Sequence, residues 1–246
     1  MPHPRVPGCT ADTSLATLEG SIALVLKCRT RHSARQRSVL WCHETPRLPG
    51  SSMNMAVKLP PLMTVADFID WPGDGIGTRY ELVDGELRAM APGSSTHGTL
   101  QSRLASLITQ HLDKARPGCR VVTTPGIQPH LQSSWNFRIP DLAVTCAPDR
   151  PGDIMLPDPI LIVEVLSPGN AQDTRGNIPH YASLPSVGEI VIVHSTAVKV
   201  ELLARQPDGS WPKDPEFIVD EGDVTFASVG LTIGMADIYR NTHLRK

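Results

Sequence analysis

Glu164 lies inside the run ILIVEVLSPGN, residues 160 to 170, an ionisable side chain among aliphatic neighbours. An ionised carboxylate buried without a partner costs far more than the hydrophobic burial of one strand returns, so Glu164 must be neutral, paired, or beside a cation. A second acid, Asp141 in FRIPDLAVT (137 to 145), offers an explanation. The loop between the two runs, APDRPGDIMLPD, is too short and too polar for a crossover helix, so the runs should pair antiparallel. If that loop closes symmetrically between Gly152 and Asp153, residues whose numbers total 305 lie opposite each other, and Asp141 faces Glu164. Carboxylates directly opposed across a ladder have Cβ atoms about 4.5 to 5.5 Å apart and repel when both are ionised. One must then be protonated, or a cation must lie between them. A slip of one residue would send the two side chains to opposite faces. The plainer alternative leaves Asp141 at a pleat edge and pairs Glu164 with Arg138.

A carboxylate pair of this kind suits a hard divalent ion such as Mg²⁺ or Mn²⁺, which takes oxygen ligands and keeps waters for a substrate phosphate to displace. Such a site activates water at a phosphodiester. Other candidate chemistry is weaker. Gly93-Ser94-Ser95-Thr96-His97 lacks the closing glycine of a nucleophile elbow. GDGIG at 73 to 77 has no strand and helix around it to make a dinucleotide loop. Glu81 has an ordinary explanation as the cross-strand partner of Arg88. His97 suits a helix cap region or a surface, or an approach to phosphate from a helix N-terminus.

Several elements are needed to position these residues. TVADFIDW reads as a short helix capped by Thr64, and YELVDGELRAM as a hairpin turning at Asp84-Gly85, with Leu82 facing Leu87 and Glu81 facing Arg88. From about Thr96 to Ala115, Leu100, Leu104, Leu107, Ile108 and Leu112 mark one face of a helix stopped by Pro117-Gly118. Strand-like runs follow at CRVVTT, GIQPHL, FRIPDLAVT, PILIVEVLS, EIVIVHS and VKVELLAR, with weaker ones at EFIVD and DVTFAS. The stretch PGNAQDTRGNIPHYASLPSV is helix-like in part, and Pro179 should interrupt that helix or start it. GMADIYR closes the chain with one or two helical turns. A largely β sheet with one long early helix and a shorter later one is an α+β or mixed α/β arrangement.

The 246 residues and 40% hydrophobic content suit one well-buried domain with an appendage. Residues 1 to 54 read as a poorly structured extension, and 55 to 246 as the domain. SSMNMAVKLPPL resembles a protein start at Met53 or Met55, so the extension is readable as an over-called start, with an Arg-rich transit segment as the alternative. No apolar run approaches the roughly 18 residues of a membrane span. The five cysteines, Cys9, Cys28, Cys42, Cys119 and Cys146, are scattered without metal-site spacing. They read as free thiols in a reducing cytoplasm, Cys146 as a small buried hydrophobe. Residues 1 to 52 hold seven Lys/Arg against three Asp/Glu, which leaves the remainder 16 against 22. That acidic body argues against a broad, sequence-independent grip on nucleic acid.

Taken in order, YELVDGEL, PGSSTHG, IPDLAV, ILIVEVLSP and DTRGNIPHYASLPSVGEIVIV resemble the Uma-two family of restriction-endonuclease-like proteins, within the PD-(D/E)XK nuclease superfamily. The resemblance runs from Thr64 to Arg205. It implies a mixed sheet flanked by helices, Pro140-Asp141 as the PD element, Glu164 as the second acidic ligand, Glu81 as an additional acid and His97 as a site histidine. It also implies DNA as substrate and a homodimer. The superfamily's lysine, two residues beyond the second acid, is here Leu166. The family's displaced lysine, four residues after an Asp and four before a Tyr, falls between Asp173 and Tyr181 on Asn177. Asn177 is neither a cation nor a ready base, and the nearby Arg175 is always charged but a poor base. The resulting expectation is an endonuclease-like protein hydrolysing DNA phosphodiesters, with Asp141, Glu164 and the Val165 carbonyl holding Mg²⁺ or Mn²⁺. Glu81 and Asn177 complete the site. The alternative is a catalytically inactive nucleic-acid-binding or interaction module of the same fold.

Overall fold

The computed structural model describes residues 12–18, 21–27 and 62–245. The chain divides into two units, Met1–Ala56 and Val57–Lys246. In the first, β1 (Asp12–Leu18) and β2 (Ser21–Lys27) pair antiparallel, with Leu18 opposite Ser21. This hairpin is the described part of the expected extension. The proposed start at Met53 or Met55, and Cys9, Cys28 and Cys42, lie outside the described residues.

The second unit opens with α1 (Val65–Asp70), capped by the Thr64 side chain. The hairpin β3 (Tyr80–Val83) and β4 (Glu86–Ala89) follows in the expected register, Glu81 opposite Arg88 and Leu82 opposite Leu87. Its turn residues Asp84 and Gly85 both have positive φ, 50° and 85°, as a tight two-residue hairpin turn requires. The long helix α2 (Ser95–Ala115) buries Leu100, Leu104, Ile108 and Leu112. Leu107, expected on the same face, packs only at the margin of that cluster.

Six strands form the central sheet: β5 (Arg120–Thr123), β6 (Leu142–Thr145), β7 (Pro159–Leu166), β8 (Glu189–His194), β9 (Lys199–Ala204) and β10 (Glu216–Val219). Their spatial order is β10-β9-β8-β7-β6-β5. Every pair is antiparallel except β7 with β8, which are parallel and joined by helix α3 (Ala171–Ala182). Parallel neighbours need such a crossover. A small hairpin of β11 (Asp223–Phe226) and β12 (Leu231–Gly234), then α4 (Met235–Ile238), completes the unit.

Alternation along the strands gives the sheet two different faces. Leu161, Val163 and Val165 of β7 join α2, β11, β12 and α4 in the larger apolar cluster. Ile162, on the other side, packs with Ala143, Ile190, Leu203 and Tyr181 under α3.

Four expectations need correction. GIQPHL forms isolated bridges, among them Ile127 to Arg138, not a strand. Gly126 sits so close to Phe137 that a Cβ would lie 2.2 Å from its ring, which fixes this crossing at glycine. FRIPDLAVT pairs as β6 only from Leu142, just beyond Pro140, which has no ladder donor. Helix α3 runs through Pro179 without ending there. That proline removes only the bond to the Arg175 carbonyl, while Asn177, His180 and Tyr181 around it are buried. Finally, Cys119 and Cys146 form a disulfide, and Cys146 is exposed. Arg120 pairs with Thr145, so the two cysteines are the next opposed residues beyond the β5–β6 ladder. The premise of free thiols therefore fails for this pair.

Candidate active site

The β6–β7 ladder has the register read from the loop. Leu142 opposes Val163, Ala143 opposes Ile162 and Val144 opposes Leu161, each pair totalling 305, before an irregularity at Thr145. Asp141 and Glu164 are the next pair in that register. The ladder does not extend to them. Instead the Asp141 carboxylate itself accepts the Val165 N–H, 2.6 Å, replacing the missing strand partner. Its backbone carbonyl accepts from the Thr124 N–H, 3.0 Å, and from Gln101 Nε2, 2.9 Å. These bonds fix Asp141 at the mouth of the ladder.

Helix α2 supplies the next contact. Ser94 caps its N-terminus by accepting the His97 N–H, which sets His97 in the first turn. The His97 ring then lies with Nε2 2.8 Å from Asp141 Oδ1 and Nδ1 3.3 Å from Ser167 Oγ. His97 is thus neither a free surface residue nor an elbow member, but the partner of Asp141.

Glu164 is almost wholly buried and accepts a hydrogen bond from the Tyr181 hydroxyl, 2.7 Å. Burial, and then the charge of Asp141, push its carboxyl well above the usual carboxylate range, against the Tyr181 and Asn177 contacts that lower it. Tyr181 is itself pushed well above an ordinary phenol, by burial and then by the Glu164 charge. Asn177, one helical turn before Tyr181, is buried and directs Nδ2 to the Tyr181 oxygen, 3.4 Å. Asp173, Asn177 and Tyr181 are spaced by four and share one face of α3. The alternative pairing of Glu164 with Arg138 does not occur, since Arg138 turns to Asn136 and His180.

Glu81 is buried, and its Oε1 accepts the Ile139 N–H, 2.6 Å. Burial raises its carboxyl, and Asp173 adds to the rise, while the Ile139 bond, Arg138 and Arg88 oppose it. Arg88 stands opposite Glu81 in the hairpin but gives its Nη1 to Asp173, 2.5 Å, across to α3. Arg138 is buried and donates from Nη2 to Asn136 Oδ1, 2.8 Å, and to His180 Nε2, 3.1 Å. A guanidinium only donates, so His180 Nε2 accepts and the ring is neutral with its proton on Nδ1. Burial, then Arg138, accordingly lower the His180 pKa. Arg138 Nε and His180 Nδ1 have no partner among the described residues. Arg175, the other cation considered for the site, gives both terminal nitrogens to Glu201, 2.5 and 2.6 Å.

The structure therefore brings Asp141, Glu164, Val165, Glu81 and Asn177 to one end of the sheet between α2, α3 and the β3–β4 hairpin. Sequence reasoning placed Tyr181 only as a spacing marker and missed its hydroxyl on Glu164; its spacing of four from Asn177 was the available signal. Among the described residues, no three His, Cys, Asp or Glu side chains are gathered closely enough to form a ready metal cage. The donor set nevertheless fits a hard cation. The Asp141 charge raises the cost of charging Glu164, both side chains carry oxygen ligands, and Mg²⁺ characteristically uses one or two carboxylates with waters. Among the described residues the Val165 carbonyl accepts only the Asn170 amide, at 3.2 Å, leaving an oxygen lone pair at the same place.

Once the helices and sheet are placed, the fold can be compared with solved structures. It matches a crystal structure from Anabaena variabilis described as "a putative nuclease", with a TM-score of 0.58 at 16% identity, over 72% of this chain and 97% of the other. The architecture is that of a nuclease-like α+β fold. Residues 65–234 match the family model Uma2, described as "Putative restriction endonuclease", and the chain belongs to that family. A protein of Synechocystis sp., described as "Uncharacterized protein slr1290", is 30% identical over 182 residues, 73% of this chain and 93% of its own length. Among the described residues, no helix is long and apolar enough to cross a membrane.

Proposed function

We propose that this chain is a metal-dependent endonuclease of the PD-(D/E)XK type, acting on DNA. The observation that carries the reading is the junction of Asp141 and Glu164 at the end of the β6–β7 ladder, where the charge of Asp141 makes the buried Glu164 harder to ionise. Asp141, Glu164 and the Val165 carbonyl would hold Mg²⁺ or Mn²⁺. A bound ion would lower the pKa of a coordinated water and offset charge developing on the phosphate.

The chain's own residues supply the rest. His97 and the Val165 N–H fix both oxygens of Asp141. Tyr181 fixes one oxygen of Glu164, leaving the other for a ligand. Glu81, anchored on the Ile139 N–H, stands as a third acid that orients water or accepts its proton. Its carboxyl, raised by burial, suits a group that exchanges protons nearer neutrality.

One observation favours a second reading, an inactive DNA-binding or interaction module. Asn177 occupies the lysine's place and is buried in the Tyr181–Glu164 network. An amide there brings no positive charge to a transition state. Purified protein incubated with supercoiled plasmid and Mg²⁺ or Mn²⁺, beside Asp141→Ala, separates the two. Nicking by the parent alone is the expected result. Equal absence of nicking with retained DNA binding establishes the inactive module.

A further inference from the structure

We infer that Arg88 is the residue that takes hold of a phosphate of bound DNA, and that Asp173 occupies its guanidinium until the substrate displaces it. The inference rests on the DNA-directed reading above.

Among the described residues, three guanidinium groups come from the elements that border the carboxylates, and the structure distinguishes them. Arg138 is buried and committed to Asn136 and His180. Arg175 gives both terminal nitrogens to the fully buried Glu201. Arg88 alone of the three combines exposure with a weak commitment. Its side chain is 45% exposed, and among the described residues it donates only through Nη1, to Asp173, itself 43% exposed.

The position of this pair gives it meaning. Arg88 is directly opposite Glu81 in the β3–β4 hairpin, so the two side chains share a face. Asp173 lies in the first turn of α3, one turn before Asn177 and on the same side of the helix. The ion pair thus spans from hairpin to helix beside the carboxylates, and both its members are felt at Glu81. A lysine at position 177 would reach this space from the helix. Arg88 reaches it from the opposite wall.

The exchange of partners is chemically reasonable. An exposed carboxylate–guanidinium pair is held weakly in water. A phosphate offers the same planar fork two charged oxygens, which Arg engages better than Lys. Asp173 then acts as an internal stand-in for the phosphate. Removing its charge should help DNA bind, although the ion pair is lost.

The test is a double-mutant cycle in the full chain, Arg88→Ala, Asp173→Asn and both together. Binding of a short fluorescent duplex is read by anisotropy in EDTA and again in Ca²⁺, across a salt series. Thermal midpoints confirm that these half-exposed substitutions leave the fold intact. Asp173→Asn should tighten binding about two- to fivefold, the strength of an exposed ion pair. Arg88→Ala should weaken it and reduce the slope of log affinity against log salt by about 0.9, one phosphate contact. In the Arg88→Ala background, Asp173→Asn should give no more than the small gain of removing one negative charge. An equal gain in both backgrounds, or an unchanged salt slope, overturns the inference while leaving the nuclease reading intact. No DNA binding by the parent protein in either condition overturns both.

Discussion

Glu164 and Glu201 are two buried carboxylates in one row of the sheet, with opposite fates. Glu164 of β7 pairs with Ile192 of β8, and Ile192 pairs with Glu201 of β9. Two strand spacings separate them, on the order of 10 Å. Both interrupt aliphatic runs, and both lie on the α3 side of the sheet. Glu201 is fully buried yet faces two cations, Arg175 at 2.5 Å and Lys199 at 3.6 Å, and the His194 ring at 2.6 Å. Burial pushes its carboxyl up, but the bonds from Arg175 and His194 and their charges outweigh that and hold it at about 2. Among the described residues Glu164 pairs with no cation, only with the neutral Tyr181 and Asn177 side chains beside a neighbouring acid, and its carboxyl goes the other way. Burial therefore does not decide what a carboxylate does in this sheet. Its partners do. A carboxylate already neutralised is structure, whereas one left in electrostatic deficit is prepared for a ligand.

The largest expected effect tests the neutralised member. Glu201→Gln removes the charge that Arg175 and Lys199 share with the His194 ring. Loss of one partner of a buried pair costs roughly 3 to 5 kcal/mol, and the partial exposure of Arg175 places this one at about 3 kcal/mol or below. Urea unfolding at pH 7 measures it. The pH dependence has a definite sign. Because the folded pKa is depressed, the stabilisation is present above the unfolded value near 4.5 and is lost as pH falls toward about 2. The Gln variant should lack that acid-side loss. An unchanged stability would mean that Glu201 is no more than a tolerated charge.

The next effect concerns the deficient member and its ligand. If Asp141 and Glu164 form the cation site, Mg²⁺ or Mn²⁺ should stabilise the parent by about 1.4 kcal/mol at ten times the dissociation constant. EDTA should reverse the gain. Asp141→Ala and Glu164→Gln should abolish it, and Glu201→Gln should leave it intact. Thermal unfolding with added metal decides this, and equal stabilisation of the Asp141→Ala protein would place the ion elsewhere.

The same pair shows how far the sequence could be read. The total of 305 came from loop symmetry, and the ladder honours it because a short polar loop leaves an antiparallel pair little freedom of register. The Asp84-Gly85 turn and the apolar stripe of α2 were legible for the same reason, since local chemistry decides them. Glu201, in VKVELLAR, carried the same signal as Glu164 in ILIVEVL, and nothing local separates the two. What separates them is Arg175, which reaches Glu201 across 26 residues of chain, and Tyr181, which reaches Glu164 only because α3 packs where it does. The disulfide was hidden likewise: Cys119 and Cys146 become neighbours through the β5–β6 register, not through their spacing. Pro179 misled in the other direction, because tertiary burial of α3 outweighs one lost backbone bond.

The smallest effect is the most diagnostic. Glu164→Gln keeps the shape and an acceptor for Tyr181 but removes the charge. Because the folded pKa of Glu164 is raised, the native state holds its proton to higher pH than the unfolded chain does. Stability is then greatest below the unfolded value near 4.5 and falls as pH rises toward the raised folded value. This slope is opposite to that of Glu201. The Gln variant escapes the slope but buries an amide N–H₂ in place of a carboxylate oxygen, which returns part of the gain. In EDTA at pH 7 the variant should exceed the parent by about 0.5 to 1 kcal/mol, and below pH 4.5, where only the amide cost remains, it should fall slightly below the parent. A variant less stable than the parent at pH 7 would show that Glu164 is already compensated within the protein. The contrast with Glu201 would then collapse, and with it the electrostatic case for a cation between Asp141 and Glu164.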